Sequence, residues 1–456
     1  MEVHIDLDEK VQEPCIYRVP NRMRVVKPEA YTPKVVVIGP LHRSLKSTAK
    51  DGAETSSNPW HLKKDYIKME VTKKTYFESF TKRVGEDTIE EMRKTIQTEE
   101  KNIRNCYEES TEWIPSELFV DLILQDSIFI MELIIRLSGF DRIHSDDRNL
   151  DFAIVMNDLL LLENQLPYFI LDSLFSFSMT KYLDSHTLDS FILRCFGLKI
   201  EEKKNFMHLT DMYRCVYKES LDYIPPREYS LNRVKWSITE LRNAENLSNA
   251  GVNFKSYDYL DLSKQDEKLD IKITRDKSDS ELTKLPTNKR ERVEGVSLHV
   301  ELKKGCLSMP SFWANDRTDM ILRNVIAFEQ CQHGIIPFTS HYIQFLNALI
   351  VSDRDVELLS EKGVVMNNMG RPSLVVDMVN KLKVGVYEGY TSQYYDIAID
   401  LKAHYKSRRK RCWATLRKVY FSDLWTGTAT LAAVLLLLLT LVGTVASVIQ
   451  AYESFK

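Results

Sequence analysis

Apolar positions recur at helical spacing along most of the chain. Tyr342, Phe345, Leu346, Leu349 and Ile350 follow an i, i+3, i+4, i+7, i+8 pattern, which predicts one apolar helix face. Ile89, Met92, Ile96, Ile103 and Cys106 repeat near heptad spacing in a highly charged background. They predict a surface helix over 88–109 with one narrow buried seam, rather than a coiled-coil contact. Ile321, Leu322, Val325 and Phe328 form another apolar face, with Arg323, Asn324 and Glu329 beside it. Asn58-Pro59 predicts a helix start, a capping side chain followed by proline at the first position. Ser352 and Asp355 make a capping-box variant for a helix that Gly363 closes.

Two apolar stretches mimic membrane spans. In 116–137, SELFVDLILQDSIFIMELIIRL, the polar residues Asp121, Gln125, Glu132 and Arg136 fall in one stripe of a helix. The remaining face belongs in a core. Asp126 lies on that apolar side, so it is expected to cap, to pair with a buried cation, or to be protonated. In 156–171, MNDLLLLENQLPYFIL, Asp158 and Glu163-Asn164-Gln165 interrupt the apolar run. This pattern predicts a helix ending around Glu163 and a second beginning near Pro167. Asn164 and Gln165 are expected to satisfy orphan backbone groups at the buried joint.

The strand signal is minor. Val296, Leu298, Val300 and Leu302 alternate with polar residues, and Ile271 and Ile273 are the expected partner strand. Between them, residues 275–295 are charged and nearly free of large apolar groups, which predicts a solvated, mobile loop.

The C-terminal pattern is different in kind. From Leu424 to Tyr452 no residue is charged, and a helix crosses the hydrocarbon in about 20 residues. Arg408, Arg409, Lys410, Arg411, Arg417 and Lys418 flank it upstream, whereas Glu453 and Lys456 are the charges downstream. Positive flanks stay cytosolic, so the expected arrangement is a tail anchor with the body in the cytosol. Gly443, Ser447 and Ala451 at four-residue spacing suggest weak self-association through this helix. The length of the apolar helix favours the plasma membrane over the ER.

These patterns predict a mainly α fold: a helical cytosolic body with a minor β-ribbon, plus one C-terminal transmembrane helix. The expected organisation is an N-terminal tail over 1–14, a helical lobe over 15–230 and a C-terminal lobe over 231–405. A basic juxtamembrane segment (406–425), a transmembrane helix (426–450) and a short tail (451–456) follow.

Composition narrows the function classes. The chain has 456 residues, 44% hydrophobic and 28% charged, as in ordinary folded proteins. A net charge of −3 gives no basic footprint, so no nucleic-acid partner is expected. Seven cysteines without C-x-x-C spacing point to a reducing compartment and away from a structural zinc site. No P-loop, G-x-G-x-x-G, H-E-x-x-H or G-x-S-x-G occurs. The chain is therefore read as a non-enzyme with no cofactor and no metal. If it is an enzyme, Asp126, Asp158 and Glu163 are the weak catalytic candidates, as buried carboxylates of a membrane-tethered hydrolase or transferase.

Several phrases also occur in a fixed order: VVVIGPLHR at 35–43, LENQLPYFIL at 162–171, AGVNF at 250–254, RNVIAFEQC at 323–331, and HYIQFLNALIVSDRDVELLSEKGVV at 341–365. WATLRKVYF and one hydrophobic helix close the series. In this the chain resembles the plant family called domain of unknown function 247. The resemblance implies membrane association and no established activity, ligand or catalytic residue. It makes Pro40, His42, Glu163, Asn164, Gln165, Pro167, Gly251, Arg323, Asn324 and Glu329 motif positions of structural character. Some grass members of that family are associated with self-incompatibility, so recognition or signalling through an unknown protein partner is the expected class. Leu424 stands where the family usually has proline before the membrane helix.

Overall fold

A computed structural model of the chain describes residues 13–43, 59–138, 150–179, 187–198, 205–221, 238, 241–257, 297–387, 392–407 and 424–454. A short α1 (Asn21–Arg24) and a 3-10 turn (Pro28–Ala30) come first. Pro59 opens the long α2 (Pro59–Val84), followed by α3 (Glu86–Asn105) and α4 (Ser116–Leu137). These three pack together, with α4 the most apolar and the most buried. The seam of α3 is buried against α4 and against α6 (Tyr168–Met179), so it is used within the chain.

The polar stripe of α4 is present, but only its first half meets solvent. Gln125 is exposed, whereas Glu132 and Arg136 are buried. The cause is α2, which lies over that end. Arg83 donates to Glu132 at 3.3 Å, and the Arg136 guanidinium stacks 4.1 Å from the Tyr76 ring centroid. A charged stripe can be internal when a neighbouring helix brings the counter-charge.

Helices α5 (Phe152–Asp158), α7 (Leu188–Phe196) and α8 (Leu209–Glu219) complete this part with α6. His208 caps α8: its Nδ1 accepts from the Asp211 N–H at 3.2 Å, and Nε2 meets the Cys15 carbonyl at 3.0 Å. That geometry requires the neutral ring with its proton on Nε2.

The remainder centres on α10 (Asp316–Cys331), which packs on α8, α11 (Phe338–Leu349) and α13 (Pro372–Lys383). The apolar stripe of α11 is buried as its spacing predicts. Asp355 reaches back to the Ser352 N–H at 2.9 Å to start α12 (Asp353–Glu361). Gly363, with φ of +71°, ends it. Helix α9 (Ala244–Asn249) turns through Gly251 into β1 (Asn253–Tyr257). Two further helices are α14 (Tyr395–Lys406) and α15 (Leu424–Ser454). One continuous apolar core runs from Ile16 through Phe129, Leu162 and Phe328 to Leu401.

The β content among the described residues is small. Of the described part of the expected strand, 297–302, only the end is regular: β2 (Glu301–Lys303) pairs antiparallel with β3 (Cys306–Pro310), and β3 pairs parallel with β1. Leu298 and Val300 are buried as the alternation predicts, but Ser297 is buried as well, and side chains replace the ladder there. Ser220 Oγ accepts from Leu298 N–H at 2.9 Å, and Tyr394 donates to the Leu298 carbonyl at 2.7 Å. Ile271, Ile273 and the 275–295 loop lie outside the described residues. β4 (Phe312–Ala314) and β5 (Val365–Asn367) form a separate parallel pair.

Candidate functional site: a polar seam around the N-terminal segment

Residues 15–43 thread through the body with almost no regular structure, yet Ile16, Val36, Val37 and Ile38 are buried. A buried backbone without a ladder must find its hydrogen bonds elsewhere. Here it finds them in polar side chains. Asp158 accepts from the N–H groups of Lys34 (2.9 Å), Val35 (2.7 Å) and Val36 (2.9 Å). Asn164 accepts from Ile38 N–H at 2.7 Å and donates to the carbonyls of Val36 (3.0 Å) and Asp158 (2.9 Å). Asp126 accepts from Gly39 N–H at 2.8 Å and pairs with Lys73, whose ammonium also donates to the Val37 carbonyl at 2.6 Å. Glu163 accepts from Val19 N–H at 2.6 Å, binds Arg18 at 3.1 Å and also pairs with Arg24.

The joint between α5 and α6 is built to present these groups. Every residue from Asp158 to Tyr168 is buried, and α5 ends at Asp158, not near Glu163. The leucines therefore belong to turns, whose carbonyls Gln165 gathers: its Nε2 donates to Leu159 (2.7 Å) and Leu161 (2.8 Å). Its Oε1 accepts from Leu209 N–H at 2.9 Å. Pro167 directly precedes α6, as its missing N–H allows. Asn324 of α10 closes the far side, accepting from Leu162 N–H at 2.9 Å and donating to the Ala30 carbonyl at 2.8 Å. Gly39, with φ of +68°, approaches so closely that an added Cβ would stand 2.6 Å from the Gln165 carbonyl oxygen.

The three candidate carboxylates thus lie along one seam, and each of their oxygens already has a structural donor. Such an arrangement holds backbone and charge. Proton transfer at any of these oxygens would first require breaking one of those bonds. Burial pushes the Asp158 carboxyl up to about 6, against the pull of its backbone donors. His42 is buried with Nε2 3.4 Å from Glu163, and burial lowers its pKa to about 4. Pro40 and His42 sit at the end of the threaded segment, and Pro40 is buried too.

The other motif positions hold a second set of joints. Glu329 accepts from the N–H groups of Thr339 and Ser340 at 2.9 Å each, so α10 caps α11. Burial raises the Glu329 carboxyl. Arg323 pairs with Asp319 at 3.0 Å, and Asp319 also holds Lys27 at 2.9 Å. No cluster of three or more potential metal ligands occurs among the described residues. Arg408, Arg409, Lys410, Arg411, Arg417 and Lys418 lie outside the described residues. Sequence reasoning missed Arg18, Arg24, Lys27 and Lys73, because no local spacing ties them to partners so distant in the chain.

Two predictions follow from this seam. Glu163→Ala strips a buried charge network and should destabilise by about 3 kcal/mol. Asn164→Ala orphans several buried backbone groups and should cost about 1–3 kcal/mol. Urea midpoints should fall with unchanged slopes, and midpoints equal to the unsubstituted protein's would contradict the assignment.

The pH response has a definite sign. Burial lowers His42, His208 and His341 to about 4, so unfolding takes up protons below the usual histidine value near 6.5. Their contribution is complete above about 6.5 and lost as pH falls toward 4. Asp158 and Glu329, both raised, oppose this over the lower part of the window. The melting temperature should drop between pH 6.5 and 4, and His208→Asn, which can keep the cap, should flatten the slope. An unchanged slope would contradict the neutral-cap assignment.

Residues 16–439 match the family described as a plant protein of unknown function, domain of unknown function 247. A UPF0481 protein of Arabidopsis thaliana is 25% identical, over 97% of this chain and 88% of its own length. A second UPF0481 protein of that plant is 23% identical, over 97% of this chain and 91% of its own. No solved structure matches the chain significantly. The match spans the threaded segment, the joint and the start of the final helix, and the chain belongs to this plant family.

Proposed function

We propose that this protein is a membrane-anchored interaction component, with a rigid cytosolic body that recognises another protein. The observation that carries the reading is α15. Its stretch Thr430–Tyr452 is long and apolar enough to cross a bilayer, and none of its apolar window is buried against the body. A soluble core helix of that composition would hide its surface. The upstream arginines and lysines favour a cytosolic body, and the length of the helix favours the plasma membrane. Recognition suits a body whose buried carboxylates are engaged in structure. Helix α3 offers a charged outer face, with Glu90, Glu91, Lys94 and Lys101 exposed opposite its buried seam.

A membrane-tethered hydrolase or transferase is the competing class, and the occupied oxygens of Asp126, Asp158 and Glu163 count against it. Topology provides the direct test. A glycosylation tag placed after Lys456 should be modified when the full chain is inserted into ER microsomes. Modification at the natural sequon, Asn246-Leu247-Ser248, would place the body on the lumenal side and overturn the orientation.

A further inference from the structure

The β2–β3 hairpin turns through Lys304-Gly305, with φ of +49° and +80°. Positive φ at both central residues defines the two-residue turn in which Asn-Gly is the favoured sequence. Lys304 is the one non-glycine residue with positive φ among the described residues. A lysine kept where asparagine fits better directs attention to its charge. Lys303 and Lys304 are both exposed; Lys303 pairs with Glu301 at 2.5 Å, and Lys304 has no ion-pair partner among the described residues.

The position of this tip matters as much as its charge. A methyl group added at Gly305 would stand 2.9 Å from Cε1 of His404, so the tip touches the last turn of α14. Helix α14 is fixed to the body through buried Tyr394, Ala398 and Leu401. The chain therefore leaves the body beside the hairpin. Only residues 408–423 separate this exit from α15, a reach of at most about 60 Å when fully extended. Lys406 adds positive charge on the same last turn.

We propose that the Lys303-Lys304 hairpin tip is a second membrane contact, docking on anionic lipid head groups and setting which face of the body looks at the bilayer. The inference rests on the anchor reading of α15. A lysine near an anionic surface contributes about 1 kcal/mol, so Lys304, with Lys303 partly offset by Glu301, biases the orientation of a body already tethered there.

Hydrogen exchange on the full-length protein in vesicles tests this. Vesicles of phosphatidylcholine alone are compared with vesicles containing about one-third phosphatidylserine, the anionic surface to which the lysines respond. Amides across 301–310 should exchange several-fold more slowly in the anionic vesicles, while those of α3 stay unchanged. High salt should abolish the difference. Lys304→Asn should fold at least as well and reduce the docked fraction about fivefold, with Lys303→Gln adding to the loss. Equal exchange in both vesicles, or protection that survives the double substitution, would overturn the proposal. Co-flotation in both compositions reports the anchor separately: protein that fails to float refutes the anchor and this inference with it, whereas protein that floats without hairpin protection refutes the inference alone.

Discussion

A buried backbone must be hydrogen-bonded, and residues 15–43 have almost no helix or sheet to do it. The rest of the body is arranged around that constraint. Asp158, Asn164, Asp126 and Glu163 supply acceptors for N–H groups on the threaded segment, and Asn324 ties the opposite side to α10. Because these side chains come from α4, the α5–α6 joint and α10, the segment links elements distant in sequence. Removing one acceptor leaves a buried N–H without a partner, which is why the seam is so unforgiving.

How much of this was legible beforehand depends on the range of the interaction. The seam of α3, the face of α11 and the cap of α12 follow local spacing, and local spacing is what a sequence displays. Asp126 was recognisable as a buried carboxylate, with capping, pairing and protonation all open, but nothing in the sequence pointed to its partner Lys73. Nothing near Val36 announces that its N–H belongs to Asp158. The end of α5 was placed too late because leucine favours helix, whereas Gln165 stabilises turns by gathering their carbonyls. The partial burial of the α4 stripe was not legible for a related reason: its cover, α2, is a tertiary neighbour.

The same architecture bears on function. Helix α15 stands apart from the apolar core, and α14 carries the chain toward it from a fixed place beside the hairpin. The phrase LENQLP at 162–167 then serves as a fastening between helices. Its polar residues are spent inward, and the chemistry they perform is hydrogen bonding to the chain itself.

The most direct test of this account is native-state hydrogen exchange at the amides of Lys34, Val35, Val36, Ile38 and Gly39. If side chains of the seam hold this segment as part of the core, these amides exchange only through global unfolding, as slowly as those in the middle of α4. Exchange through local opening, orders of magnitude faster than α4, would mean that the segment is a loosely held strap and that the seam is not what organises the fold.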